Sequence, residues 1–148
     1  ALRVAIALIT SLECDTKVNK EKFEIGRNFT TKIWNAAKFF EMKLAEVGSI
    51  PNIDELKAAD LSADDKHMLV ACDKACKKLS EILESYRIQD GALAVYDFFW
   101  TQICDWYVEY VKDSPNKAVS LAIQRDVFCK VLRLLPPYMP VVTGAVAN

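Results

Sequence analysis

Residues 26–40, GRNFTTKIWNAAKFF, carry three cations and two amides, Arg27, Asn28, Lys32, Asn35 and Lys38, in a stretch that otherwise reads as the spine of a buried helix. Guanidinium and carboxamide groups present hydrogen-bond donors and acceptors in fixed geometry, and lysine supplies a point charge for anions. Paired with Glu24 and Glu41, the same side chains would serve only as a solvated helix face. Asparagine is a mediocre helix former, so two of them beside three cations in one helix call for a reason.

No other cluster in the chain makes a comparable case. The single histidine, His67, would have to serve any Ser-His-Asp or Cys-His relay, and its place beside Lys66 reads as a surface or boundary position. Cys72 and Cys76 share a helical face with His67 a turn away, but the paired CxxC spacing of structural zinc is missing, and free cysteine is commonly a small core residue. Asp64 and Asp65 read as negative charge at a helix N-terminus rather than as an acid and base pair. There is no glycine-rich phosphate loop. The sequence therefore predicts no catalytic residue and no metal site in this chain.

The composition limits the partners. A length of 148 residues and 52% hydrophobic content fit one domain, 1–148, with a sizeable core, and a net charge of −1 gives no global basic field. Any nucleic-acid contact must come from a local patch. The apolar start ALRVAIALI is far short of the roughly 20 residues that span a bilayer, so no membrane role is expected. The absence of an initiator Met, a basic leader and a cleavage site suggests a fragment or processed chain without a signal peptide. Five cysteines, an odd number, point to reduced thiols and a cytoplasmic location.

The elements that must position the polar residues are helices. LRVAIALITSL reads as a short apolar helix, and after it Asn19 is the expected N-cap of a long helix from about Lys20 to Ala45 that stops near Gly48. Ser62 caps a second, running to about Tyr86. RIQDGALAVYDFFWTQICDWYVEYVKD is a third, apolar at Ala92, Val95, Tyr96, Phe99, Ile103, Trp106, Tyr107 and Tyr110 and expected at the centre of the fold. AVSLAIQRDVFCKVLRLL is a fourth, ended by Pro136 and Pro137. The fold class is all-α, a bundle of four substantial helices plus a short N-terminal one. The aromatics of the third helix read as core, and Asp97 and Asp105 beside them as buried partners of arginines such as Arg3 or Arg133.

ALRVAIA, DTKVNKEKFEIGRNFTTKIWNAAKF, YRIQDGALAVYDFFWTQICDWYVEYVK and VLRLLPPYMPVVT, in that order, resemble the anticodon-binding helical domain of class I valyl-tRNA synthetases. The isoleucyl and leucyl enzymes share the bundle but vary more in these words. His67 stands where the family usually has tryptophan, Thr31 replaces a common asparagine, and the ending TGAVAN departs from the family's usual one. The ATP-site words His-Ile-Gly-His and Lys-Met-Ser-Lys-Ser belong upstream in the family and are not in this chain. Nor are the editing module and the coiled-coil arm.

The resemblance implies a tRNA partner, through the valine anticodon stem-loop, together with the remainder of a synthetase chain, and no DNA. ATP and magnesium belong to the parent's catalytic module, so this chain alone is expected to hold no cofactor and to be inactive. On the long helix Phe29, Ile33, Ala36, Ala37, Phe40 and Leu44 fall on one apolar stripe. Arg27, Thr31 and Lys38 form one row beside it, and Asn28, Lys32 and Asn35 another. The resemblance makes these rows the expected tRNA-binding residues. Arg27, Asn28 and Asn35 would read the A and C that end the valine anticodon, Lys32 and Lys38 would reach phosphates, and Trp34 would be a stacking platform or boundary core. The rival reading is a helical protein-interaction module with an apolar groove and no RNA role. A metal or redox domain on Cys72 and Cys76 is more distant.

Overall fold

The buried stripe and the polar rows both lie on α2 (Lys20–Val47), which stops where Gly48 adopts φ 85°, a conformation that costs glycine nothing. Phe29, Ile33 and Ala36 are buried, and Ala37, Phe40 and Leu44 half-buried. The structure, a computed structural model, describes residues 1–9 and 20–147, so the expected Asn19 cap lies outside the described residues. Every regular element among them is helical.

Before α2 comes α1 (Leu2–Ile9), whose Val4, Ala5 and Leu8 are buried. Gly26 permits the close approach of α1 and α2: a Cβ there would collide with the Ala1 carbonyl oxygen and lie 2.9 Å from the Ala5 Cβ. Beyond a short 3-10 turn at Ile53–Glu55, α3 (Ala63–Glu84) starts on the expected Ser62 cap. Ser62 Oγ accepts from the Asp65 amide at 3.0 Å and Asp65 Oδ2 accepts from the Ser62 amide at 3.1 Å, a reciprocal box that satisfies two otherwise orphaned donors. The helix ends at Glu84. There Tyr86, at φ 56°, turns the chain while Arg87 N–H bonds back to Ile82 O and Tyr86 N–H to Leu83 O.

The third rod differs from the uniform α-helix read from sequence. It runs as α4 (Ile88–Asp97), a π-helical stretch (Phe98–Tyr107) and α5 (Val108–Asp113). The reason lies in its buried side chains, Val95, Phe99, Ile103, Tyr107 and Val111, each four residues from the last. At 3.6 residues per turn, such a series drifts around the helix. Through the π-helical stretch each residue turns less, so the drift runs the other way and offsets that of the flanking α-helical turns.

The fourth long helix, α6 (Lys117–Leu134), is the central one, rather than the third rod. All six residues from Val119 to Gln124 are buried, and α6 packs against α2, α3, α5 and α7. Pro136 and Pro137 end it as expected, but a further helix follows: α7 (Pro140–Ala147) begins with proline at the first helical position, where the missing N–H costs nothing.

A buried polar cluster joins three of these elements. Tyr107 OH lies 2.7 Å from Asp65 Oδ1 and 3.2 Å from Ser120 O, Ser120 Oγ donates to Asp65 Oδ1 at 2.9 Å, and Ser114 and Ser120 share a 2.7 Å hydroxyl contact. Asp65 is thus a core acceptor as well as a helix-terminal charge.

The thiols give a testable contrast. Burial pushes Cys72 up to about 12, with the neighbouring Cys76 adding to the effect, and burial likewise pushes Cys104 up to about 12. Cys129 is exposed. Since the thiolate is the reactive form, mass spectrometry after mild alkylation at pH 8 should find Cys129 modified and Cys72 and Cys104 intact until the chain is unfolded. Equal labelling of Cys72 and Cys129 in the folded chain would contradict this packing.

Candidate nucleic-acid interface

The polar rows of α2 divide into two groups. Arg27, Asn28, Asn35 and Lys38 are exposed. Among the described residues Arg27 has one weak tie, 3.8 Å to Glu24 one turn back, and with both side chains at least half exposed that pair contributes little. Asn28 and Asn35 have no hydrogen-bond partner among the described residues, so their amides are open to a ligand. Among the described residues Lys38 has no carboxylate partner, Glu41 included; its ammonium lies 5.8 Å from the ring centroid of Trp34. Trp34 is 44% exposed, too open for a core residue.

Lys32 stands apart. It leans from α2 to the π-helical stretch, where its ammonium donates to Asp105 Oδ1 at 3.1 Å and lies 4.5 Å from the Trp100 ring centroid. The other side of that contact is a chain of rings. Trp100 stacks on Tyr96 at 5.4 Å and 23°, and Tyr96 packs at 4.9 Å on Phe29. Lys32 is thereby tied to the core through three aromatic side chains.

Two expectations are corrected here. Asp97 and Asp105 are exposed rather than buried, and the partner of Asp105 is Lys32. Arg3 and Arg133 pair with no carboxylate among the described residues. The aromatics around the two aspartates fill the interior, while the carboxylates stay in water, where their charge needs no partner. Sequence reasoning also missed two cations at the same seam. Lys43 of α2 and Lys112 of α5 lie 5.8 and 5.6 Å from the Phe39 ring centroid, each held by a glutamate three residues away. The signal for Lys112 was present only as proximity between elements, which spacing along one helix does not reveal.

Elsewhere His67 is exposed and meets Trp106 edge-on at 5.1 Å. Among the described residues no group of three or more His, Cys, Asp or Glu gathers as metal ligands, and no helix is long and apolar enough to cross a membrane. A groove of about 410 Å³ between α6 and α7 is lined by Cys129, Leu132, Arg133, Pro136, Pro140, Thr143 and Gly144, with one leucine and no phenylalanine.

Comparison with known proteins adds an independent line. Residues 65–147 match the family described as anticodon-binding domain of tRNA ligase. Similar curated proteins include the valine–tRNA ligase of Aquifex aeolicus (strain VF5), 32% identical over 97% of this chain and 14% of its own length. Those of Geobacter sulfurreducens and Staphylococcus carnosus are 35% and 34% identical, each over 97% of this chain and 17% of their own length. The chain therefore spans less than a fifth of these relatives.

Proposed function

The chain belongs to the family of anticodon-binding domains of tRNA ligases, and from that premise we propose that it is the part of a cytoplasmic valine–tRNA ligase that holds the anticodon stem-loop of valine tRNA. The relatives above are all valine–tRNA ligases, which favours valine over isoleucine or leucine. Amino-acid activation, with its ATP and magnesium, belongs on this reading to other modules of a longer protein, and no residue of this chain is assigned to it.

The observation that carries the proposal is the exposed arc of α2. Two amides and one lysine without hydrogen-bond or ion-pair partners among the described residues flank a half-exposed tryptophan on α2. Unstacked loop bases are recognised by such planar donor and acceptor groups, while cations fix the backbone. Arg27, Asn28 and Asn35 contact base edges, Lys38 a phosphate, and Lys32 sits at the inner border of the same surface. The near-neutral net charge makes this local arrangement, rather than overall attraction, the source of affinity.

The test is equilibrium binding of a stem-loop RNA bearing the valine anticodon, measured across a series of salt concentrations. Lys38→Ala should weaken binding of every loop sequence and reduce the logarithmic salt slope by somewhat under one unit. Arg27→Ala and Asn35→Ala should instead narrow the preference for the valine loop over one with a changed middle anticodon base, by about 1–3 kcal/mol for a base contact of bidentate type. Unchanged affinity, slope and preference in all three variants would return this arc to a solvated helix face.

A further inference from the structure

Gln124 lies in the middle of the central helix with no access to solvent, yet neither Oε1 nor Nε2 of its amide has a hydrogen-bond partner among the described residues. No other buried side-chain nitrogen or oxygen among those residues is left in this state. Buried polar groups in folded proteins are almost always bonded, to protein or to ordered water, because an unmet donor or acceptor forfeits the hydration it had in the unfolded chain.

The contacts on either side of Gln124 fix what it lies against. One turn before it on the same face of α6, Ser120 O accepts from Tyr107 OH at 3.2 Å and Ser120 Oγ donates to Asp65 Oδ1 at 2.9 Å. One turn after it, the Phe128 ring meets Phe99 edge-on at 5.5 Å. The third rod therefore runs antiparallel to α6, and Gln124 stands opposite the middle of the π-helical stretch, around Ile103, whose side chain is also sealed from water.

The neighbouring hydroxyls do not supply the missing donor. Tyr107 OH at 2.7 Å and Ser120 Oγ are both committed to Asp65 Oδ1, so neither can donate to Gln124 Oε1 without depriving the carboxylate. A charged ligand finds no countercharge in a carboxamide, and a large one finds no way in. Water matches both atoms. The amide presents a donor and an acceptor side by side, so Nε2–H can donate to a water oxygen while that water donates back to Oε1. We propose that Gln124 binds one internal water molecule between α6 and the π-helical stretch. The water is a structural ligand: it satisfies the amide and carries the buried polar network of Asp65 and Ser120 one turn deeper along α6, toward the segment whose winding departs from the α-helix. The inference does not depend on the RNA reading.

A high-resolution crystal structure of the chain tests it. The expected result is one ordered water within about 3.2 Å of both Gln124 Nε2 and Oε1, absent from the Gln124→Met variant, whose side chain has similar length and no amide. In solution, water-selective NOE and ROE spectra of the isotopically labelled chain should show cross-peaks from water to the Gln124 side-chain amide protons, of opposite sign in the two experiments, as a long-lived bound molecule gives. Cross-peaks of one sign in both would report proton exchange in place of a resident molecule and count against the proposal. A Gln124 amide turned onto protein groups alone, or one lying dry with neither water density nor a dipolar cross-peak, overturns it.

Discussion

Phe29→Ala should lower the stability of the chain by about 3–5 kcal/mol, and Ile33→Ala by about 2–5 kcal/mol. Both side chains are essentially inaccessible to water. The Phe29 ring packs on Tyr96 at 4.9 Å and edge-on to Phe99 at 5.7 Å, so its removal costs buried area and leaves a cavity between α2 and the third rod that rigid aromatic neighbours fill poorly. The loss has a second consequence. Tyr96 supports Trp100, and Trp100 supports Lys32, so the Phe29 variant should also loosen the inner border of the proposed RNA surface. Thermal and urea melts followed by circular dichroism measure the stability term, with Lys38→Ala as the control expected to melt like the parent. A Phe29→Ala chain that melts with the parent would contradict the packing of α2.

Asp65→Ala should cost about 2–4 kcal/mol, because a carboxylate that takes three hydrogen bonds in the core would be lost. Some repair is available, since Tyr107 OH can still use Ser120 O and Ser120 Oγ can still use Ser114. The Ser62 amide has no such alternative, so the start of α3 should fray. Tyr107→Phe should cost about 1–2 kcal/mol by leaving Asp65 with one fewer donor. Burial, and then the hydrogen bond to and repulsion from Asp65, push the Tyr107 phenol well above its ordinary range. A raised native pKa favours the protonated form, so this contribution is full below about pH 10, the value for an unfolded tyrosine, and is lost as pH rises beyond it. Melts between neutral and strongly alkaline pH should therefore show stability falling above about pH 10, less steeply in Tyr107→Phe. An Asp65→Ala chain as stable as the parent would mean that the cluster is not formed in solution.

How much of this was legible in the sequence depended on whether the information was local. Phe29, Ile33 and Ala36 repeat at helical spacing, so the buried face of α2 and the polar arc beside it followed from periodicity alone. The Ser62 cap was readable because both partners lie within four residues. The winding of the third rod was encoded too, in the strict interval of four from Val95 to Val111, but that interval is close enough to 3.6 to pass for an ordinary helix. α7 went unread because Pro136 and Pro137 end one helix, and Pro140 starts another by the same restriction on φ. The pairing of Lys32 with Asp105 was beyond sequence reasoning, since it depends on the register between two elements whose residues are 73 apart in the chain. The wrong assignment of Asp97 and Asp105 came from reading neighbours of core aromatics as core themselves. On a helix, adjacent residues face different ways.

The central claim is that RNA lands on the exposed arc of α2 and on the seam between α2 and the π-helical stretch. Backbone amide chemical shifts of the isotopically labelled chain, recorded as a stem-loop RNA with the valine anticodon is added, test it most directly. The account predicts saturable shifts concentrated between residues 27 and 38 and around Trp100 and Asp105, with the α6–α7 groove unmoved. Shifts confined to that groove, or spread evenly over the surface without saturation, would contradict it.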